Sequence, residues 1–301
     1  MDLTVVYDDG VLGDGSRERS VEGRDVALHC ELRAYGDLLP LCDLYTGDAL
    51  PDASASVAAE VVVSTHRRVT ELLRGRYVRS TPRFDALRAR LDPARVDALS
   101  SAAAATIGSL SVRDAAGAAR SGDWLTAAAA AEMALEYALD AALLAAGDPY
   151  RSRKFLPRRL ARVEALAPCL DDVRRLAALP AGDDAALERR TRETLLVANG
   201  LQAATLLKAG RVWTAGDRGD GPRRSPYVTL VATDAMLRLA GAQECALLRP
   251  AAVLWLLADG RPEAELARRF AELTGLGADD VTSFVATTLA GLADAGAVEA
   301  A

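Results

Sequence analysis

The chain has 301 residues, half of them apolar and about a quarter charged, which suits a globular protein with two or three cores. Its formal net charge is −6, which argues against a partner with a phosphate backbone, because such binding draws on clustered Lys and Arg. No window approaches the ~20 uncharged residues of a membrane span, and the opening MDLTVVYDDG has no apolar run of signal length. The expectation is a cytoplasmic protein without a membrane partner.

Residues 2–7, 25–32 and 57–64 are short and rich in Val, Leu and Tyr, and read as strands separated by turns. Between them Ala34–Thr46 reads as a short helix interrupted by Pro40, and Val69–Arg76 as helical. Residues 1–80 are therefore expected to form a small α/β unit. From 81 to 215 the pattern turns helical. Phe84–Leu91 is followed by a helix opened by Pro93 and running into Ser100–Leu110, then by Val112–Arg120. Asp123 is the predicted N-cap of the clearest helix, Trp124–Ala146, whose larger residues stand among alanines. Arg158–Ala167, Leu170–Ala178 and Ala185–Ala209 complete a helical bundle.

Residues 216–226 (GDRGDGPRRSP) have a linker composition, three Gly and two Pro in eleven residues. After them, residues 227–301 give three short strands and then three helices. The strands are Tyr227–Thr233, Ala235–Ala240 and Glu244–Leu248, and the helices Arg249–Leu257, Glu263–Leu273 and Val281–Ala293. Asp259-Gly260 ends the first helix, and Asp279-Asp280 favours the N-terminus of the third.

Chemistry-bearing signatures are sparse. The four cysteines, Cys30, Cys42, Cys169 and Cys245, form no C-x-x-C pair and read as small apolar residues. No metal set, P-loop or dinucleotide fingerprint appears, and no cofactor is expected. The two histidines, His29 and His66, sit beside no nucleophile in sequence and read as structural or surface residues. The basic run Arg151–Arg159 reads as a solvated loop and helix start, with binding of a phosphate or an acidic partner as the other reading.

The string from Glu244 to Gly260, followed by Glu263–Leu273 and Val281–Val298, resembles the PqqD family, also called RiPP recognition elements. The shared frame is a strand, a helix ending in Asp-Gly, a helix with an apolar stripe, a third helix, then Gly and an apolar residue. The resemblance covers roughly residues 227 to 299 and implies a winged helix-turn-helix that binds the leader of a precursor peptide. The leader would add as a strand to the edge at Gln243, Glu244, Cys245, Ala246, Leu247 and Leu248. A wall would come from the third helix through Val281, Phe284, Val285, Thr288 and Leu292. Those five share one helical face, which equally fits the face turned toward the domain's own core.

A second resemblance lies in front. Gly15-Ser16, followed after eight residues by Asp25, is similar to the nucleotidyltransferase pattern of Gly-Ser and then Asp-x-Asp or Asp-x-Glu on a strand. The segment Gly122-Asp-Trp124 and the alanine-rich helix after it look similar to the helical half of antibiotic-type nucleotidyltransferases. That chemistry takes two carboxylates projecting from one face of a strand to hold divalent cations. The second position here is Ala27, so Gly15, Ser16 and Asp25 are expected to be a vestigial nucleotide site, with no catalytic residue and no metal. Neither Glu31 nor Glu60 has the required spacing to Asp25.

The expected fold class is α+β and mostly helical: a small N-terminal α/β nucleotidyltransferase-like unit, a central helical bundle and a C-terminal winged helix-turn-helix. The expected function is non-catalytic. The C-terminal unit would capture a precursor leader peptide and the rest would dock a modifying enzyme of the same pathway, an arrangement similar to standalone recognition proteins of daptide-type pathways. The rival readings are an active nucleotidyltransferase acting on a peptide or small molecule, and a DNA-binding regulator. The third helix carries no Arg or Lys, which disfavours DNA.

Overall fold

A computed structural model describes residues 2–7, 17–22, 27–47, 55–77, 80–150, 153–176, 183–209, 219–233, 236–241 and 244–299. The fold is α+β and mostly helical. At the N-terminus β1 (Asp2–Tyr7), β2 (Arg17–Glu22) and β3 (Ala27–Ala34) form a sheet in the order β1-β3-β2. β1 runs parallel to β3 with Leu3 opposite Cys30, and β2 runs antiparallel to it with Arg19 opposite the same residue.

A 3-10 turn, Tyr35–Leu38, leads into α1 (Leu39–Thr46). Pro40 lies in the first turn of α1, where its missing N–H costs nothing, so it begins this helix and does not interrupt it. The expected strand at 57–64 is not formed: those residues lie inside α2 (Ala55–Arg74). Ala58, Ala59, Val62, His66 and Val69 are buried at helical spacing, while Val57 and Val61 face water. The long 3.6-residue period prevails over the local β-propensity of the valine run.

α3 (Pro82–Ala89) is capped by Thr81, whose hydroxyl accepts from the Phe84 N–H at 3.3 Å. α4 (Pro93–Arg120) is one 28-residue helix where the sequence reading broke it before Val112. Within it the buried Ser111 hydroxyl is satisfied by donating back to the Ile107 carbonyl one turn earlier. α5 (Trp124–Ala145) starts at Asp123, whose carboxylate accepts from the Thr126 N–H at 3.1 Å, as expected of an N-cap. α6 (Leu156–Arg162), α7 (Cys169–Leu176) and α8 (Asp184–Leu207) follow.

Alanines on α4, α5 and α8 let these helices lie close. Ala115, Ala131, Ala134, Ala138 and Ala198 share one core with Leu139, Leu143 and Leu195. A second core joins α1, α2, α3 and the start of α4 through Leu38, Tyr45, Val62, Val69, Phe84 and Val96. Cys42 and Cys169 are buried in these cores as apolar fillers.

The C-terminal unit contains β4 (Arg223–Arg224), β5 (Thr229–Thr233), β6 (Met236–Ala240), β7 (Cys245–Leu247), α9 (Arg249–Leu257), α10 (Glu263–Thr274), α11 (Ala278–Asp294) and β8 (Val298–Glu299). β5, β6 and β7 form an antiparallel sheet in that order, with Leu230 opposite Leu239 and Leu239 opposite Cys245. Trp255 of α9 is wholly buried between sheet and helices, and its indole N–H donates to the Ala297 carbonyl at 3.0 Å. Burying a side chain of that size contributes about 2–3 kcal/mol.

Residues 219–226, the described part of the linker-like segment, are folded onto this unit. β4 pairs with β8, the Gly221 N–H donates to the Gly260 carbonyl at 2.7 Å, and the Ser225 N–H to Ala297 at 3.0 Å. A Cβ on Gly221 would fall 1.9 Å from the Arg261 carbonyl oxygen, so glycine there reflects a close crossing of two chain segments. Gly260 adopts φ +90°, which explains the Asp-Gly ending of α9. Around this crossing Arg261 forks onto Asp259 at 2.6 and 2.5 Å, and Arg224 donates to the carbonyls of Leu256 and Ala258. Burial pushes the Arg224 guanidinium down to about 10, against the opposing pull of Asp259, so it keeps its charge at neutral pH.

Candidate functional site

The two flanks of the C-terminal sheet are unequal. The β5 flank is occupied by the bundle. Gln202 of α8 places its side-chain amide nitrogen 3.0 Å from the Leu230 carbonyl, 3.1 Å from the Thr229 hydroxyl and 2.5 Å from the Ser109 hydroxyl of α4. Ala203, Ala204 and Leu207 of α8 share a core with Val228, Leu230, Trp255 and Leu256. Asn199 donates to the Pro226 carbonyl at 2.7 Å, and Arg192 pairs with Glu299 of β8 at 2.7 Å. The sheet is thus seated on the bundle at its β5 side, and beyond β7 the first residue of α9, Arg249, also donates to the Leu207 carbonyl of α8.

The opposite edge is β7. It pairs with β6 on one side, and among the described residues no strand pairs with its other side. An edge strand of this kind presents unpaired N–H and C=O groups to an incoming chain. Side chains alternate as the pleat requires. Leu237, Leu239, Cys245 and Leu247 turn toward the core under α9, and Arg238 and Ala246 stand opposite one another on the other face. Glu244 and Ala246 are exposed, Cys245 and Leu247 half-buried, and Leu248 is 81% exposed. A leucine that open at the end of an edge strand leaves apolar surface for a ligand to cover.

Of the helix positions expected to form a wall, Val281, Val285 and Leu292 are not available. Each is at most 2% exposed, packed with Leu254, Leu257, Leu266 and Phe270 or, for Leu292, with Trp255 and Ala252. Their spacing is that of the core-facing stripe of α11. Phe284 and Thr288 are half-buried on the margin of that stripe. The Phe284 ring stacks on Phe270 at 5.3 Å between centroids. Gln243 lies outside the described residues, as do Gly15, Ser16 and Asp25. Ala27 is the first residue of β3, and Glu60 is exposed on the helix α2, away from any strand position.

Arg238 was missed in the sequence. Its signal was present in Leu237-Arg238-Leu239, a charged residue between two apolar ones on a strand, which sends it to the face opposite the core. It lies beside the open edge, paired loosely with Glu244 at 3.7 Å.

The outward residues of α11 include Thr282, Ser283, Ala286, Thr287 and Ala290, none basic. On α10, Arg268 is engaged by Glu272. With Arg268 so engaged, α10 offers only the half-buried Arg269, a thin patch beside the long basic stripe that phosphate contacts reward.

The bundle brings together one pair that sequence spacing could not show. His66 Nδ1 lies 2.7 Å from the Ser100 hydroxyl, and Nε2 lies 2.9 Å from the Pro149 carbonyl. A carbonyl only accepts, so Nε2 carries a proton, and in the neutral ring Nδ1 then accepts from Ser100. Hydroxyl, imidazole and orienting carbonyl are the parts of a nucleophilic arrangement. His66 is 0% and Ser100 2% exposed, however, so the pair meets no substrate and serves to tie α2 to α4. Among the described residues no group of three or more His, Cys, Asp or Glu is placed to hold a metal ion, and no helix is long and apolar enough to cross a membrane.

No protein-family model, curated protein or solved structure matches this chain.

Proposed function

We infer that the chain is a recognition protein for a ribosomally made, modified peptide, and that it binds the precursor's leader as an added strand along β7. The observation that carries this reading is the asymmetry of the sheet: β5 is held by Gln202 and α8, and β7 is open. The strand and helix order of residues 227 to 299 supports a PqqD-like winged helix, with Asp259-Gly260 at the end of α9. Each main-chain hydrogen bond to an added strand contributes about 0.5–1.5 kcal/mol, and the exposed Leu248 supplies side-chain selectivity, with Phe284 and Thr288 the remaining positions of the wall that the resemblance implies. The N-terminal two-thirds would be a degenerate nucleotidyltransferase-like unit with a bundle that docks the modifying enzyme. Ala27 in place of the second carboxylate supports loss of the chemistry. Holding the leader on a docked partner raises the local concentration of the core peptide at that enzyme.

The test is binding of labelled leader peptides, encoded beside the gene, to the full chain and to its Ala246→Pro and Leu247→Pro variants. Adjacent N–H groups on a strand point to opposite sides, so one proline removes a donor toward β6 and the other a donor toward the ligand. The proline that keeps the fold should weaken binding at least tenfold. Undiminished binding by both folded variants would overturn strand addition. Magnesium-dependent ATP turnover lost in Asp25→Asn would instead establish the nucleotidyltransferase reading.

A further inference from the structure

Residues 149–163 contain six basic side chains, Arg151, Arg153, Lys154, Arg158, Arg159 and Arg162, and no acidic one, in a chain of net charge −6. The fold divides the four whose side chains are described. Leu156, Arg159 and Leu160 are the inward face of α6, buried in the bundle. Arg159 pairs there with Asp140 at 2.7 Å and with Asp148 at 3.4 Å. This inner face fixes the rotation of α6, so the outer face is fixed too. It carries Lys154, Phe155, Arg158 and Arg162 in water.

The acidic groups nearby are already engaged. Asp148 Oδ1 accepts from the Tyr150 N–H, and Oδ2 accepts from Arg162 at 3.0 Å. Among the described residues neither Lys154 nor Arg158 has an acidic partner; Lys154 lies only over the Phe155 ring, 4.9 Å from its centroid. Tyr150 is 65% and Phe155 38% exposed, and among the described residues they are the two aromatic side chains open to that degree. Phe155 stands beside Lys154, and Tyr150 precedes Lys154 by four residues in the chain. Exposed rings next to unpaired cations on a rigid face are what a docking surface presents before its partner arrives.

The charge selects the occupant. A phosphate backbone places a charge about every 1.7 Å and rewards a long basic stripe. Here a short patch sits on an acidic protein, which would repel a long polyanion. A short acidic peptide carrying apolar residues satisfies both parts of the patch. We propose that α6 and the turn before it dock an acidic, apolar-containing peptide segment of a protein partner. This surface is separate from β7 and does not depend on strand addition there.

The experiment uses the full chain and a labelled peptide of alternating Glu and Leu, with an alternating Lys and Leu peptide and a single-stranded DNA as competitors. The Glu-Leu peptide should bind at ~0.15 M salt and weaken as salt rises. Lys154→Glu combined with Arg158→Glu should lower its affinity about tenfold or more, with the melting temperature unchanged because both side chains are exposed. Tyr150→Ala should weaken binding without altering its salt dependence. Equal affinity in the charge-reversed variant, equal competition by the Lys-Leu peptide, or stronger competition by DNA would each overturn the proposal. Whichever of Ala246→Pro and Leu247→Pro keeps the fold should leave this binding untouched, so the outcome stands apart from that of the β7 reading.

Discussion

The side-chain amide nitrogen of Gln202 reaches the backbone oxygen of Leu230 at 3.0 Å, joining the last helix of the bundle to the first strand of the C-terminal sheet. The nitrogen has two hydrogens and three oxygens within reach, so the bonds to Ser109, Thr229 and Leu230 are shared. All of this is buried, and truncation to alanine strands the acceptors. Gln202→Ala should cost about 1–3 kcal/mol, read as a lower urea midpoint. Because α8 contributes Ala203, Ala204 and Leu207 to the same core as Trp255, bundle and sheet should still lose structure in one transition. Two separate unfolding transitions would count against this coupling.

Gly260 is held at φ +90°, with its N–H donating to the Pro222 carbonyl at 2.9 Å and its own carbonyl accepting from Gly221. An L side chain at that φ is strained by roughly 1–2 kcal/mol. Gly260→Ala should therefore lower the melting temperature, and Gly122→Ala, at φ +76° in an exposed turn with nothing within 4 Å, tests whether φ alone accounts for the loss. A Gly260→Ala loss well beyond that of Gly122→Ala would assign the excess to the crossing with residues 221–224.

Much of the C-terminal fold was legible because its punctuation is local. Asp259-Gly260, Gly275 and Gly296 mark helix and turn ends, and the expected α9 matches the structure at both ends. The bundle's helix starts, Pro93 in the first turn of α4 and Asp123 as the N-cap of α5, were equally plain. What misled were signals whose meaning is tertiary. Val61-Val-Val63 has strand propensity, and only the periodic burial of Ala58, Val62, His66 and Val69 shows that it is helical. Residues 219–226 have the composition of a tether, yet their glycines and prolines allow a tight crossing. The stripe of Val281, Val285 and Leu292 was correctly seen as one face, but spacing cannot say whether a face meets a ligand or the core. Ser100 and His66 are 34 residues apart, so no motif could join them.

Arg159 and Asp140 form an ion pair that is almost wholly enclosed, with side-chain exposures of 1% and 9%. Removing Arg159 takes away the cation that pairs with buried Asp140 and also faces Asp148, which costs about 3–5 kcal/mol. Arg159→Leu should be that destabilising by denaturant unfolding. The double variant Arg159→Leu with Asp140→Leu should recover part of the loss, since an apolar pair carries no stranded charge. Arg158→Leu, one residue away but exposed, should change stability by less than about 0.5 kcal/mol. Similar losses at 158 and 159 would contradict the division of the basic run into an inner and an outer face.

Cys42 is one of the groups whose burial makes stability fall at alkaline pH. Its side chain is buried among Leu38, Leu41, Tyr45 and Ala59, and that burial raises the thiol above its ordinary value of 9.0, more strongly than the nearby Arg90 lowers it. Tyr77 is raised in the same way by burial, again against a neighbouring arginine, Arg88. In the unfolded chain both groups ionise at their ordinary values; in the folded chain they stay protonated to higher pH. Their contribution to stability is therefore complete below the unfolded values and is lost as pH rises toward and through the folded ones. The denaturant midpoint should fall between about pH 8 and about pH 10, and the fall should be smaller in Cys42→Ala, whatever that variant costs at the lower pH. Parallel pH profiles for the two proteins would show that the buried thiol is not the group responsible.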